Sequence, residues 1–270
     1  MTSKQLKEAL RSGKRVYGTM VASPSPKWLQ YITKLELDFV FIDTEHIPLD
    51  RSTVSWMCQA YRGAGLTPIV RIPSPDPYEA CIAMDGGAGG VVAPYLETVN
   101  QIRDLRGAVK YRPLKGQRLS RVLSGEEILS QKEKDYLEAY SQDALLIVNL
   151  ESKVAMDNMD TLLAEPDIDA AFIGPHDLSV NLGVPEEYDS EIWNEACLKI
   201  IRKCREKGIS VANHFSNDME KQLLWAREGM NMVLWNVDVI RMYQALHSDF
   251  TYLRKELGDG KSSEASHMDL

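Results

Sequence analysis

Short apolar runs punctuate this chain, and several of them stop abruptly at ionisable side chains. Asp38-Phe39-Val40-Phe41-Ile42-Asp43 leads into Thr44-Glu45-His46. Pro68-Ile69-Val70 runs into Arg71, and Leu146-Ile147-Val148-Asn149-Leu150 into Glu151. Ala170-Ala171-Phe172-Ile173-Gly174 passes through Pro175-His176 to Asp177. Runs of this length, rich in β-branched and aromatic residues, read as buried strands. If those strands are parallel neighbours, their polar ends gather on one rim.

The remaining pattern alternates with these runs. Lys4 to Arg11 reads as a helix ended by Ser12-Gly13, followed by a strand from Val16 to Val21. Pro24 and Pro26 open a helix reaching about Leu35. After the Asp38 to Asp43 strand come a helix over Ser52 to Gly63 and a strand over Pro68 to Ile72. Asp76 is placed to cap a helix with Pro77 at its first position. A strand over Gly90 to Pro94 and a helix over Val99 to Val109 follow. Tyr111 to about Glu126 reads as a long irregular loop, the kind more often functional than idle, before a helix around Glu133 to Tyr140. Strands over Leu145 to Leu150, Ala170 to Gly174, Ile209 to Ala212 and Met232 to Trp235 complete the set. They are separated by amphipathic stretches over Val154 to Ala164, Ser190 to Lys207 and Met219 to Glu228. Eight strand-then-helix units in sequence predict an α/β protein of the (β/α)8 TIM-barrel type, with its active site at the carboxyl ends of the strands.

Composition narrows the picture. With 270 residues, 44% hydrophobic and 26% charged, the chain can bury one large core. A single barrel domain is expected over 1–257, with a small, polar, disordered tail over 258–270. The formal net charge of −8 argues against nucleic-acid or anionic-membrane partners, which need a basic surface. It also means that a site for an anionic substrate needs local positive charge from an arginine or a metal. The four cysteines, Cys58, Cys81, Cys197 and Cys204, form no C-x-x-C pair, and the start of the chain lacks a signal-peptide core. No stretch approaches the roughly 20 apolar residues of a membrane span. A reduced, cytoplasmic protein is expected.

The ordered motifs resemble those of the HpcH/HpaI aldolase family. They are Asp43-Thr44-Glu45-His46, Arg71-Ile72-Pro73, the run Asp85 to Gly90, Pro94, Gly116-Gln117-Arg118, Glu151, and Gly174-Pro175-His176-Asp177-Leu178-Ser179 with Leu182-Gly183. The resemblance spans about Gly18 to Asp238, and no motif is out of order. It implies a class II, divalent-metal-dependent aldolase that cleaves a 4-hydroxy-2-oxo acid into pyruvate, or a related 2-oxo acid, and an aldehyde. It also implies a homo-oligomer, a hexamer built as a trimer of dimers in which the last helix is exchanged between paired subunits.

Chemistry read from the residues agrees with this. An aldolase must stabilise a carbanion beside a carbonyl, through a lysine Schiff base or a metal-stabilised enolate. The expected strands contain no lysine, and Lys153 is the nearest candidate. Glu151 and Asp177, at the ends of adjacent strands, suit Mg2+, or Mn2+ or Co2+, as ligands. Arg71 cannot deprotonate and can hold the enolate oxygen. His46 is the proton carrier, and Asp43 could orient it. By resemblance the histidine acts as base on the 4-hydroxyl. Gly174 and Pro175 are expected to approach the substrate carboxylate, with Asn149, Asp177 and Arg118 also reaching substrate. Glu45, Asp85 and His214 are expected to support the site, Asp85 from across a subunit interface and His214 at the pocket mouth beside the aldehyde.

Each assignment has a plain structural competitor. Glu151 and Asp177 can cap the helices that follow, Arg71 can pair with Asp43 or Glu45, and His46 can be an ordinary loop histidine. Cys197 and Cys204 read as core, His176 as peripheral to the site, and the glycine run before the fourth strand does not have the order of a dinucleotide fingerprint. Three departures from the family pattern bear on the second substrate: Leu119 after Arg118, Asn149 where glutamine is common, and Thr19 where an aromatic is frequent. They leave an alternative on the same chemistry, condensation of an acyl thioester such as acetyl-CoA with oxaloacetate or acyl-thioester cleavage. In that case Arg112, Lys115, Arg118 and Arg121 would face a phosphorylated carrier.

Overall fold

The computed structural model describes residues 1–259; residues 260–270 of the expected polar tail lie outside the described part. The chain begins with helix α1 (Ser3–Arg11) and strand β1 (Val16–Met20). Then follow α2 (Pro26–Ile32), β2 (Phe39–Asp43), α3 (Arg51–Gly63), β3 (Thr67–Arg71), α4 (Pro77–Asp85) and β4 (Gly90–Ala93). Three helices, α5 (Val99–Lys110), α6 (Gly116–Ser124) and α7 (Gln131–Ser141), separate β4 from β5 (Leu145–Asn149). The second half runs α8 (Lys153–Asp157), α9 (Met159–Leu162), β6 (Ala170–Ile173), α10 (Pro175–Asn181), α11 (Glu191–Glu206), β7 (Ser210–Asn213), α12 (Met219–Arg227), β8 (Met232–Val237) and α13 (Asp238–Leu257). The strands close a barrel in sequence order, every neighbouring pair parallel.

The pleat divides each strand between two apolar cores. Phe39 and Phe41 of β2 join Val16, Met20, Ile69, Val92, Ile147, Phe172, Ala212 and Leu234 inside the barrel, while Val40 and Ile42 face the surrounding helices with Val70, Val91, Val148 and Ile173. Both faces of β2 to β7 are therefore buried, so these strands read in sequence as continuous apolar runs rather than alternating ones, while Tyr17 of β1 is exposed. Helix α1 closes the amino-terminal end, where Leu6 and Leu10 belong to the barrel-interior cluster and are almost fully buried. Its amino terminus carries a capping box in which the Thr2 and Gln5 side chains each accept from the other's backbone N–H. Under this plug Lys7 and Lys110 converge on the buried Asp169, and the two ammonium groups also donate to the backbone carbonyls of Gln142 and Ala144.

Several boundaries differ from those expected, for physical reasons. The stretch from Tyr111 to Glu126, expected as a loop, contains α6. Leu119 and Leu123 recur at i and i+4 and pack against Gly107 of α5, and Gly125 ends the helix in the left-handed conformation. Because α6 leans on the carboxyl-terminal half of α5, it lies toward the barrel's amino-terminal end and forms no wall of the strand-end mouth in its own chain. The helix expected over Val154 to Ala164 is two short helices that meet at Asn158. Helices α10 and α13 were not delimited by the sequence pattern. Among the described residues no helix is long and apolar enough to cross a membrane. The four cysteines are free, and burial pushes the thiols of Cys58, Cys197 and Cys204 up to about 12.

Truncating either plug residue should open a cavity that the rigid barrel end fills only in part. Leu6→Ala and Leu10→Ala are each expected to lower unfolding free energy by about 2–5 kcal/mol, with the far-UV circular dichroism of the folded protein unchanged. Urea denaturation measures this, and losses under about 0.5 kcal/mol, the range of ordinary surface changes, would show that α1 merely covers the barrel.

Candidate active site

Register builds the first half of the site. Strands β2 and β3 pair Phe41 with Ile69 and Asp43 with Arg71, so the last residues of the two strands lie side by side and point into the barrel mouth. The Arg71 guanidinium grips Asp43 with two parallel hydrogen bonds, Nε to Oδ1 at 2.8 Å and Nη2 to Oδ2 at 2.6 Å. Burial alone would raise the Asp43 carboxyl, but this ion pair and the Glu45 N–H, which donates to Oδ1 at 3.0 Å, hold it below the usual carboxylate range. The guanidinium lies over the Phe41 ring, 5.8 Å from its centroid, and Phe41 in turn stacks on Phe172 at 5.3 Å. Arg71 is thus held from the side and from below.

Glu45 approaches the same arginine, its Oε2 3.2 Å from Nε, and stands 3.8 Å from Nε2 of the half-exposed His46. Both oxygens of Asp43 are engaged by Arg71. The described contacts therefore put Glu45 beside the imidazole, where the sequence reading placed Asp43. Burial, together with the neighbouring carboxylates of Asp43 and Asp177, raises the Glu45 carboxyl against the pull of Arg71 and His46.

Strands β5 and β6 build the other half. Asn149 pairs with Phe172, so Glu151 and Gly174, each two residues further on, become neighbours. A Cβ at Gly174 would overlap the Glu151 carboxylate. The glycine expected to approach the substrate carboxylate also makes room for Glu151. Asn149 Nδ2 donates to Glu151 Oε2 at 2.5 Å, which makes Asn149 a holder of the carboxylate, and its own Oδ1 is buried without a partner among the described residues. Helix α10 opens at Pro175 and carries Asp177 in its first turn, where a negative charge suits the helix dipole.

Tyr95, which the sequence reading passed over, joins the two acids. Its backbone N–H donates to Glu151 Oε1 at 2.8 Å, and its hydroxyl donates to Asp177 Oδ1 at 2.6 Å. The residue follows Pro94 at the end of β4 and has φ of 48°, a left-handed conformation that nothing in its amino-acid type announces.

Charge at this rim is lopsided. Asp43, Glu45 and Glu151 share one guanidinium, and Asp177 adds its charge beside Glu45 and Glu151. Glu151 is pushed up to about 8, first by burial and then by Asp177 and Glu45, although the Tyr95 N–H and Arg71 oppose the rise. A divalent cation fits this donor set, because Glu151 and Asp177 present carboxylate oxygens with spare lone pairs and no positive group committed to them. Among the described residues no three His, Cys, Asp or Glu side chains converge as a complete ligand set, so substrate and water would complete such a shell. His214, beyond the end of β7, has its ring 6.1 Å from that of Phe41, and burial together with Arg71 lowers it to about 4, leaving a neutral imidazole at the mouth.

Other expected participants lie elsewhere. Arg118 sits exposed on α6, paired with Glu127 and Glu133, and Arg121 also pairs with Glu127. Asp85 ends α4 on the opposite face of the barrel, 3.3 Å from Arg112. This chain therefore brings neither Arg118 nor Asp85 to its own site. His176 points outward to Glu186 at 3.3 Å, and Lys153 pairs on the surface with Asp157. The Thr19 hydroxyl donates to the carbonyls of Trp235 and Asn236, tying β1 to β8. A cavity of about 490 Å³ at the amino-terminal end is lined by Lys4, Lys7, Arg11 and Lys110; it is remote from these strand-end groups, so size alone does not locate the chemistry.

Comparison with known proteins agrees with the geometry. The family model described as HpcH/HpaI aldolase/citrate lyase matches residues 17–245. A hydroxypyruvate/pyruvate aldolase of Roseovarius nubinhibens is 30% identical over 246 residues, covering 88% of this chain and 92% of the relative. A 2-keto-3-deoxy-L-rhamnonate aldolase of Salmonella typhimurium is 30% identical over 259 residues, with 92% of each chain covered. Among solved structures, a citrate synthase superposes with a TM-score of 0.80 at 23% identity, covering 94% of this chain and 99% of the other.

The raised Glu151 carboxyl has a consequence for stability. Its folded value of about 8 exceeds the ordinary 4.5, so between those pH values the folded protein keeps a proton that the unfolded chain has lost. The associated stability is complete below about 4.5 and disappears as pH rises through about 8, with a slope of at most about 1.4 kcal/mol per pH unit. In EDTA, the melting temperature of the wild type should fall from pH 5 to 8 relative to that of Glu151→Gln. Parallel melting profiles for the two proteins would refute the buried, uncompensated carboxylate.

Proposed function

The chain belongs to the HpcH/HpaI aldolase/citrate lyase family, and from that premise we propose that it is a divalent-metal-dependent aldolase acting on a 4-hydroxy-2-oxo acid. The products would be pyruvate, or a related 2-oxo acid, and an aldehyde. The observation that carries this reading is the strand-end arrangement itself: one guanidinium locked in place by Asp43, beside Glu151 and Asp177, which have no ion-pair partner among the described residues.

Retro-aldol cleavage removes the proton of the 4-hydroxyl, breaks the C3–C4 bond, and delivers the electron pair to the 2-oxo group as an enolate. Glu151 and Asp177 would hold Mg2+, Mn2+ or Co2+, which supplies positive charge beside the carbonyl oxygen as it becomes negative. Arg71 would donate to that oxygen. Its orientation is set in advance by Asp43 and Phe41, so little reorganisation accompanies charge development. His46, half exposed beside Glu45, would take the hydroxyl proton, and Glu45 would favour the resulting imidazolium. Neutral His214 would face the aldehyde portion as an uncharged hydrogen-bonding wall. Asn149 keeps Glu151 oriented and leaves Oδ1 for a donor from water or substrate. The Gly174-Pro175 turn would border the substrate carboxylate.

Acyl-thioester condensation is disfavoured by the fate of the basic residues that would meet a carrier. Of the four, Arg112, Arg118 and Arg121 are paired with acids of their own chain, which leaves Lys115. We further propose a homo-oligomer, a hexamer as in the family. In support, α13 exposes Met242, Leu246, Phe250, Leu253 and Leu257 at helical spacing, and among its residues only Asp238 is buried. The cytoplasmic assignment rests on the four unpaired thiols.

Incubating the protein with pyruvate in D2O and following the methyl signal by NMR tests enolate formation before the aldehyde is known. Exchange should require added Mg2+ or Mn2+ and stop with EDTA; exchange indifferent to EDTA would end the metal assignment. Arg71→Lys should lower the Mn2+-supported exchange rate by about 10²–10³-fold, because an ammonium cannot reproduce the paired planar donors. A rate near wild type would remove Arg71 from the reaction.

A further inference from the structure

Tyr95 stands apart from every other residue at the mouth, because it contacts both unbalanced acids through two different groups. Its main chain adopts a left-handed conformation at a non-glycine residue, with φ of 48°, a state that persists only where surrounding contacts enforce it. That turn directs the N–H to Glu151 Oε1 at 2.8 Å. The ring then leaves the strand end, 40% of the residue remaining exposed, and crosses to α10, where the hydroxyl meets Asp177 Oδ1 at 2.6 Å. Among the described residues this hydroxyl is the one hydrogen-bond donor on the Asp177 carboxylate. Glu151, by contrast, has a second holder in Asn149.

The consequences for the two acids differ. Glu151 sits in a buried slot bounded by Asn149 and Gly174 and would keep its place without the tyrosine side chain. Asp177 rides on a seven-residue helix at the rim, and its carboxylate is free to change rotamer unless the phenol restrains it. With Oδ1 engaged by Tyr95, Oδ2 has no hydrogen-bond donor among the described residues, and Asp177 is close enough to Glu151 for its charge to raise that carboxyl. We propose that Tyr95 is a positioning residue which fixes the separation and aim of Glu151 and Asp177, so that the two carboxylates meet a divalent cation already aligned. This rests on the reading of those two acids as the cation ligands. A group that holds a ligand from behind typically changes metal affinity by about 10–100-fold, whereas it touches none of the reacting atoms.

The test is Mn2+ binding to the cation-free full-length protein, by calorimetry and by the electron paramagnetic resonance signal of free Mn2+, with pyruvate exchange measured alongside. Tyr95→Phe keeps the ring and the backbone N–H and loses only the hydroxyl. It is expected to weaken Mn2+ about 10–100-fold while exchange at saturating Mn2+ stays within about threefold of wild type, within the context dependence expected of a residue outside the reacting atoms. Tyr95→Gly, which relaxes the backbone but also lacks the phenol, should lose at least as much affinity. Asp177→Ala serves as the control for the reading beneath the proposal and should lose binding altogether. If wild type binds Mn2+ and Asp177→Ala does not, but Tyr95→Phe binds like wild type, the positioning role is overturned and the ligand assignment stands. If Asp177→Ala binds as tightly as wild type, or wild type does not bind, the ligand assignment falls and the proposal falls with it. A Tyr95→Phe protein that binds Mn2+ normally yet loses exchange would make Tyr95 a catalytic group instead.

Discussion

The paired hydrogen bonds between Arg71 and Asp43 are the interaction on which the functional end of this barrel depends. They follow from register: two parallel strands finish level with one another, one in an acid and the other in a guanidinium, both directed inward. Neither group could occupy that place alone. Removing one partner of a buried ion pair leaves an uncompensated charge and costs about 3–5 kcal/mol. Once the pair exists, its geometry is planar and bidentate, so the guanidinium has one orientation rather than many. Phe41 and Phe172 form the apolar floor that keeps it there. The site is rigid because its cation is committed.

That commitment leaves the other strand ends short of positive charge. Glu45 obtains a share of Arg71, but among the described residues the donors to Glu151 and Asp177 are neutral, a backbone N–H, an amide and a phenol. Hydrogen bonds from neutral groups offset desolvation of a carboxylate in part, which is why Glu151 resists ionisation until high pH. A fold that buries such an acid without an ion-pair partner retains an affinity for added positive charge. The same crowding of acids that costs stability therefore favours a hard divalent cation with oxygen ligands.

Much of this is legible in the sequence, because a parallel barrel writes its plan in a simple form. Strands buried on both faces appear as unbroken apolar runs, and the functional groups sit where those runs stop, as at Asp43, Arg71, Glu151 and Asp177. What was not legible depends on contacts between distant segments. Helix α6 was hidden because Leu119 and Leu123 have their partner in Gly107, and a nine-residue segment opening and closing on glycines resembles a loop. Arg118 looked available for substrate because its acids lie further along the chain, Glu127 in the turn after α6 and Glu133 on α7. Assigning Asp43 to His46 followed from their closeness in sequence, whereas the stronger attraction of Arg71 lies across the sheet.

Gly174 and Tyr95 show the limit most sharply, since what each does for Glu151 depends on a contact between strands. A glycine at a strand end suggests access for a ligand, yet here the space belongs to the side chain of the neighbouring strand's Glu151. A tyrosine after Pro94 suggests nothing, yet its backbone turns against its own conformational preference to reach that same carboxylate. Both facts concern how Glu151 is held, and Glu151 is the most deeply buried acid at the mouth not offset by an arginine of its own. The arrangement around it consists of an excluded side chain on one strand, an amide on its own strand and a strained backbone on a third. Those are three local departures that make sense only together. A carboxylate held that tightly by neutral groups has been oriented for something outside the chain, and the phenol of Tyr95 ties Asp177 to the same arrangement.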